Sequence, residues 1–161
     1  MTIIEYNNSV DIYADGVFRF VLKNIKDEEK AKDIVQDTFE KLWIKSKTVN
    51  YSKVKSYIFT TAYHTMIDYI RKDKKQSLMD KQAEYKHSHS RHYSDISEVL
   101  QEAIDLLPTI QKSVVLLRDY EGYSYKEIAE TTKLNESQVK VYIFRARKFL
   151  KNYIGTIETV I

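Results

Sequence analysis

The 161-residue sequence contains no cysteine, one proline and three glycines. The lack of cysteine excludes disulfide bonds and thiolate metal sites, and it fits a reducing compartment. So few glycines and prolines argue against a β protein with many tight turns, whereas lysine and glutamate, which are good helix formers, are plentiful. We therefore expect an all-α protein.

The sequence also lacks long apolar runs and a basic N-terminal start. No stretch approaches the roughly 18 apolar residues of a membrane span, and Met1-Thr-Ile-Ile-Glu-Tyr-Asn-Asn carries no cation before its apolar residues. We expect a cytoplasmic protein. A glycine-rich phosphate loop, a nucleophile elbow and a histidine-carboxylate array are missing as well, so we expect no catalysis, no cofactor and no small-molecule substrate.

Charge is nearly balanced overall, at +3, but it is unevenly distributed. Residues 102–130 contain six acids and three bases, whereas residues 133–151 contain six bases and one acid, Glu136. This polarity indicates either a basic surface that binds a polyanion or a solvated basic helix.

Residues 74–98 form a polar segment rich in lysine, serine and histidine, without sustained apolar periodicity. The segments on both sides show helical periodicity. The sequence therefore predicts two small helical domains, residues 1–73 and 99–155, joined by a flexible linker.

In the first domain a helix is expected to begin near Asp27 or Glu28. One of its sides carries apolar or small residues at three- and four-residue spacing: Ala31, Ile34, Val35, Thr38, Phe39, Leu42 and Trp43. We expect this stripe to form the core. The other side carries a polar ridge, which we name the acidic ridge: Asp33, Gln36, Asp37 and Glu40. From spacing alone it is either a solvated face or an interface.

A second helix is predicted from Tyr57 to Lys72, after a lysine-rich loop at residues 46–55. Its buried side is expected to comprise Ile58, Ala62, Thr65 or Met66, and Tyr69. Thr60, Thr61, His64, Asp68 and Arg71 are expected nearer the other side. Aromatic residues beside bases are typical either of a core helix with cations at its C-terminus or of a surface that stacks and holds a single nucleic-acid strand.

The second domain contains two capping signals in succession. Ser124-Tyr-Lys-Glu127 and Asn135-Glu-Ser-Gln138 each predict a helix start, which gives two short helices in a helix-turn-helix layout. In the later helix Val139, Ile143, Ala146 and Leu150 form a packing stripe. Its remaining sides carry cations and apolar residues that suit a DNA major groove.

Three groups of residues resemble a known family, the extracytoplasmic-function group of sigma-70-type RNA polymerase sigma factors. The first is Asp33-Ile-Val-Gln-Asp-Thr-Phe-Glu-Lys-Leu-Trp43, and the second is Tyr57-Ile-Phe-x-x-Ala with Asp68 and Arg71. The third comprises Leu107-Pro108, Glu121-Gly122-x-Ser124-x-x-Glu127-Ile-Ala129, Val139-Lys140 and Arg145-Ala-Arg147. The resemblance covers nearly the whole chain, and it implies a region 2 domain at residues 1–73 and a region 4 domain at residues 99–155.

The resemblance also implies the partners and the roles of individual residues. The acidic ridge would dock on a coiled coil of the clamp of core RNA polymerase. The single strand of the minus-ten promoter element would lie on the loop at residues 46–55 and on a set that we name the strand face: Tyr57, Thr61, His64, Asp68, Arg71 and Lys72. The duplex of the minus-thirty-five element would lie on a set that we name the duplex face: Lys140, Val141, Tyr142, Arg145, Arg147 and Lys148. An anti-sigma factor, commonly membrane-bound in the family, is implied as a further partner.

Three positions depart from the family pattern. His64 stands where the promoter-opening helix commonly has asparagine, and Lys140-Val-Tyr142 stands where the recognition helix often has Lys-Ser-Arg. The base preferences at both elements therefore cannot be copied from relatives. Lys133 stands where the turn often has glycine, and a left-handed backbone there would cost roughly 1 kcal/mol.

Two alternatives stay open beside the sigma-factor hypothesis. A helix-turn-helix regulator that binds DNA without polymerase would explain the second domain but would leave the acidic ridge without a role. The second alternative is a metal-responsive protein, since His87, His89 and His92 lie close together in the sequence, but no cysteine or carboxylate cluster completes a site and we expect no bound metal.

Overall fold

The structure, a computed structural model, describes the backbone of residues 1–79 and 96–160 and the side chains of residues 1–78 and 96–156. All regular elements in these ranges are helical, as predicted. They are α1 (Ile3–Ile25), α2 (Glu28–Ile44), a 3-10 turn (Tyr51–Lys53), α3 (Val54–Met79), α4 (Ile96–Asp105), α5 (Thr109–Val115), a π-helical turn (Leu116–Tyr120), α6 (Tyr125–Thr132) and α7 (Glu136–Val160). We name α1 to α3 the N-terminal domain and α4 to α7 the C-terminal domain.

The predicted linker overlaps both flanking helices. α3 continues to Met79, past the predicted domain end at residue 73, and α4 begins at Ile96. Neither glycine nor proline interrupts residues 74–79, and lysine and glutamine are good helix formers, so the helix has no local reason to stop earlier. The histidines of the metal hypothesis, His87, His89 and His92, lie outside the described residues.

Helix starts follow the local capping signals. Asp27 caps α2 by accepting a hydrogen bond from the Lys30 amide at 3.1 Å, which confirms the predicted start. At the beginning of α1, Thr2 and Glu5 form a reciprocal capping box with distances of 2.8 and 3.1 Å. Such caps satisfy amides that would otherwise lack partners in the first helical turn.

The N-terminal domain packs α1, α2 and α3 against one another. Most of the predicted stripe of α2 is buried, namely Ala31, Ile34, Thr38, Phe39 and Leu42, while Val35 is half-buried. The prediction was wrong for Trp43, whose surface is 50% exposed. Its indole lies on the surface in an edge-to-face contact with Tyr6, and the two ring centroids are 5.0 Å apart. Trp43 is exposed because α1 covers only part of the last turn of α2.

Both domains contribute to one continuous apolar core. On α3, the predicted residues Ile58, Ala62 and Met66 are fully buried, while Tyr69 is half-buried. Phe59 and Tyr63 are buried as well, with 1% and 6% of their surfaces exposed. This second buried stripe exists because α6 of the C-terminal domain packs along α3, next to the side that α1 covers. None of the described helices has a stretch long and apolar enough to cross a membrane.

Candidate nucleic-acid interface

The helix-turn-helix of the C-terminal domain is formed by α6 and α7. Ser124 and Glu127 make the predicted capping box at the start of α6, with distances of 3.0 and 3.1 Å. Asn135 and Gln138 make the equivalent reciprocal pair before α7, at 2.8 and 3.0 Å. Between the helices Lys133 adopts the left-handed conformation, with φ 61° and ψ 28°, at the position where glycine would avoid strain. Local sequence thus fixes both helix starts and the turn.

One side of α7 packs on the rest of the C-terminal domain. Val139, Ile143 and Ala146 are buried and Leu150 is half-buried, which confirms the predicted stripe. The opposite side is open to solvent and contains most of the duplex face. Lys140, Arg145, Arg147 and Lys148 are exposed, Val141 has 45% of its surface exposed, and Tyr142 is half-buried at the border.

Aromatic rings lie among the cations of this side. Two cations lie over the ring of Tyr125. The guanidinium carbon of Arg118 is 4.4 Å and the ammonium nitrogen of Lys140 is 5.4 Å from the ring centroid. Phe144 is 67% exposed, and with Tyr125 and Lys140 it lines an open groove along α7 that continues past Arg147. A groove with cationic rims and apolar walls can hold a phosphate backbone at its edge and contact base methyl groups inside.

Arg147 differs from the other cations of the duplex face because its guanidinium is bound by Asp119. Nε and Nη2 donate to the two carboxylate oxygens at 3.1 and 2.5 Å. The hydrogen bond to Asp119 raises the pKa of Arg147. The spacing of α7 could not reveal this partner, since Asp119 lies 28 residues earlier in the π-helical turn. The carboxylate of Asp119 therefore holds the Arg147 guanidinium in one orientation.

The strand face runs along one side of α3, since its residues follow spacings of three, four and seven. Tyr57, Thr61 and His64 are half-buried, whereas Asp68, Arg71 and Lys72 are exposed. α2 lies along one flank, where Lys41 Nζ is 3.4 Å from the hydroxyl oxygen of Thr65. α6 lies along the other flank. The structure thus places the six predicted residues on one surface.

His64 is a half-buried ionisable residue of the strand face. Its Nε2 atom is buried and makes no hydrogen bond to another described residue. Burial lowers the pKa of the imidazole below its ordinary 6.5, the nearby Lys133 ammonium lowers the pKa further, and Asp68 opposes both effects. Lys133 belongs to the turn between α6 and α7, so His64 also marks where the C-terminal domain meets the strand face.

The acidic ridge lies open on α2. Asp33, Gln36 and Glu40 are exposed, and Asp37 is half-buried. Asp37 binds the ammonium of Lys41 one turn later at 3.0 Å, with both side chains more than 40% exposed. Exposed carboxylates on one stripe can meet cations of another protein without rearrangement of the core. Among the described residues no group of histidines and carboxylates is arranged to hold a metal ion.

Comparison with protein families assigns both domains. Residues 10–76 match the model of sigma-70 region 2, and residues 97–150 match the model of sigma-70 region 4. The two matches follow the order that the sequence predicted, and each includes the surfaces described above.

Full-length relatives agree with the domain matches. The chain is 32% identical over 145 residues to the ECF RNA polymerase sigma factor SigM of Bacillus subtilis, covering 87% of this chain and 89% of SigM. It is 34% identical over 137 residues to the RNA polymerase sigma factor SigV of the same organism, covering 83% of this chain and 81% of SigV.

A solved structure has the same fold. The sigma factor RpoE of Bartonella quintana, crystallised with the anti-sigma factor NepR, superposes with a TM-score of 0.80 at 20% identity. The superposition covers 95% of this chain and 98% of RpoE, so it includes both domains. The domain matches and the full-length relatives show that the chain belongs to the extracytoplasmic-function group of sigma-70 factors, the subunits that bring core RNA polymerase to promoter DNA.

Proposed function

We propose that this sigma factor binds the minus-thirty-five element through the duplex face and the minus-ten element, as a separated strand, through the strand face. The observation that carries the proposal is the open, basic side of α7, which begins at a capped helix-turn-helix and lies opposite the buried stripe. A helix presented in this way fits a major groove about 12 Å wide.

Contacts to phosphates and contacts to bases fall to different residues in this proposal. Arg145, Arg147 and Lys148 neutralise phosphates and set the register of α7 in the groove. Val141 and Tyr142 face the base edges, where an aliphatic group meets a thymine methyl and a phenol exchanges one hydrogen bond. Such a pair selects bases through shape and one polar contact, without a bidentate arginine.

At the minus-ten element the strand face supplies a stacking surface and a cationic end. Tyr57 and His64 offer flat rings, while Arg71 and Lys72 attract the phosphates of the unpaired strand. Taking a base out of the duplex stack costs a few kcal/mol, and stacking on aromatic side chains offsets about 1–3 kcal/mol for each base. Promoter opening therefore needs several contacts to act together.

The acidic ridge is the proposed polymerase contact. Asp33, Gln36 and Glu40 are exposed on α2 and Asp37 is half-buried, and among the described residues neither Asp33 nor Asp37 forms an ion pair with the C-terminal domain. A basic helical surface on the polymerase would be its complement. We extend the partnership of the Bartonella RpoE protein with an anti-sigma factor to this chain as well, as a proposal that rests on the common fold.

Transcription from a randomised promoter library with purified core polymerase tests these assignments. The selected promoters should share two elements, near positions minus ten and minus thirty-five. Val141→Ser should change the preferred bases only at the upstream element, and His64→Asn should change them only at the downstream element. A change at the opposite element, or no change for either variant, would contradict the assignment of that face.

A further inference from the structure

The last two turns of α3 extend beyond the packed part of the N-terminal domain. Ile70 is half-buried, whereas all side chains of residues 71–78 are exposed, and the helix continues to Met79. At a rise of 1.5 Å per residue, residues 71–79 account for roughly 13 Å of helix. None of the described residues buries this part of α3, so its side chains are available to a partner.

Four cations and one acid, Asp73, lie in this exposed end. Arg71, Lys72, Lys74 and Lys75 join none of the ion pairs found among the described residues. A helix that ended at Lys72 would use its cations to balance the helix dipole, but the last turn of α3 contains no basic residue. The dipole therefore does not explain the positions of these cations.

Helical spacing places Lys75 in line with the strand face. Lys75 follows Arg71 by four residues and Lys72 by three, so the three cations share one side of α3. Lys74 and Asp73 lie on other sides, and both border a groove that also contains Asp105. Lys75 therefore extends the strand face by about one turn beyond its predicted last residue.

Aromatic rings and cations occupy different parts of this surface. All five rings of α3, counting the imidazole, lie between Tyr57 and Tyr69, and residues 71–79 contain none. A single strand is held by stacking on rings together with cations. The bases of a duplex are stacked inside the helix, and a duplex is bound mainly through its phosphates, of which it presents two per 3.4 Å step. The end of α3 therefore suits paired DNA.

Chain order indicates which side of the minus-ten element this duplex occupies. From the end of α3 the chain continues to the C-terminal domain, whose duplex face is assigned to the upstream element. The end of α3 is therefore expected to point upstream, where the DNA between the two elements is still paired. Lys75 follows His64 by eleven residues, or roughly 16 Å of helix, which corresponds to about five base pairs of duplex.

We propose that Lys75, at the exposed end of α3, binds a phosphate of the paired DNA that borders the minus-ten element on its upstream side. The inference rests on the proposed role of the strand face. It adds a contact that an isolated single strand cannot make in full, because only a duplex continues past the last ring with phosphates of both strands. The junction between paired and unpaired DNA is thereby bound more tightly than the single strand alone.

Three DNA probes and three variants of the full chain test this contact in holoenzyme made with purified core polymerase. The first probe is the non-template strand of the minus-ten element selected from the promoter library. The second carries a short duplex added on its upstream side, and the third carries the duplex on its downstream side. Lys75→Gln removes the proposed contact, and Lys75→Arg keeps the charge. Lys74→Gln is the matched control, because it removes a neighbouring exposed cation from another side of the same helix.

Lys75→Gln should weaken binding to the upstream-duplex probe by about fivefold and reduce the slope of log affinity against log salt concentration by about 0.9. Its binding to the single strand and to the downstream-duplex probe should stay unchanged. Lys75→Arg and Lys74→Gln should bind all three probes like the unmodified chain.

An equal loss on the single strand, a loss on the downstream-duplex probe or an equal loss with Lys74→Gln would overturn the proposed contact. Unchanged binding of Lys75→Gln to the upstream-duplex probe would overturn it as well. If holoenzyme with the unmodified chain binds the single strand no more tightly than core polymerase alone, the proposed function of the strand face fails, and the contact of Lys75 fails with it.

Discussion

Arg147 donates to both carboxylate oxygens of Asp119, whereas Arg145, two residues earlier on the same helix, joins none of the ion pairs found among the described residues. Both guanidinium groups project from α7 on its exposed side. Comparing variants of the two arginines therefore separates the contribution of a cation to DNA binding from its contribution to stability.

Arg145→Ala and Arg147→Ala should each weaken binding of the holoenzyme to promoters of different sequence by a similar factor. Each should also reduce the slope of log affinity against log salt concentration by about 1, because one phosphate contact is lost. Only Arg147→Ala should lower the free energy of unfolding, by up to about 1 kcal/mol, since its ion pair is partly exposed. Binding titrations over a salt series and denaturant unfolding provide the measurements, and an effect confined to one base position would show base recognition in place of a phosphate contact.

Reversing the charge of the acidic ridge should abolish recruitment without unfolding the protein. Asp33→Lys combined with Asp37→Lys should weaken binding to core polymerase by at least about 100-fold, because like charges would then face each other at the interface. Glu29→Lys on the same helix, where the side chain is 85% exposed, is the matched control and should leave binding to core nearly unchanged. Normal affinity of the double variant would show that the ridge is only a solvated face.

Neighbouring residues near the end of α2 should differ sharply in their effect on stability. Leu42 is fully buried, so Leu42→Ala should lower the free energy of unfolding by about 2–5 kcal/mol through lost burial and a cavity. Trp43 is half-exposed and mainly loses its edge contact with Tyr6, so Trp43→Ala should cost about 1 kcal/mol. Denaturant unfolding measures both. Equal losses would mean that Trp43 is packed as the sequence pattern predicted.

His64 should make stability depend on pH in the weakly acidic range. Its pKa in the folded chain lies below the ordinary 6.5, so above that pH the imidazole is neutral in both states and contributes nothing. As the pH falls through about 6.5, the unfolded chain binds a proton that the folded chain resists, and stability is lost until the folded pKa is reached. The melting temperature of His64→Gln should fall less than that of the unmodified chain between pH 7.5 and about 5. Parallel curves for the two proteins would contradict the lowered pKa.

Local sequence signals predicted the starts of α2, α6 and α7 and the packing stripe of α7. They were wrong for the start of α3, which begins at Val54 and not at Tyr57, and for the length of α7, which runs from Glu136 to Val160 although a short helix was predicted. The reciprocal pairs at Ser124 and Asn135, the cap at Asp27 and the buried stripe of α7 all depend on neighbours within a few residues, so they can be recognised without a structure. The sequence also identified the three surfaces as groups, since helical spacing determines which residues share a side. The functional roles of the individual residues stay predictions.

Contacts between distant residues could not be predicted in the same way. The periodicity of α2 placed Trp43 in the core because spacing cannot tell how far a neighbouring helix extends. The spacing of α3 left Phe59 and Tyr63 out of its predicted buried side, and no spacing rule links Arg19 to Glu121, 102 residues later. The packing of the two domains against each other therefore became visible only in the structure.

Promoter affinity measured with and without core polymerase tests the central claim most directly. Fluorescence anisotropy with one labelled promoter from the library selection, at one fixed salt concentration, should show weak binding by the free chain and tight, sequence-dependent binding once core polymerase is added. Equal promoter affinity in the presence and absence of core would contradict the account, because it would describe a helix-turn-helix protein that finds its DNA without the polymerase.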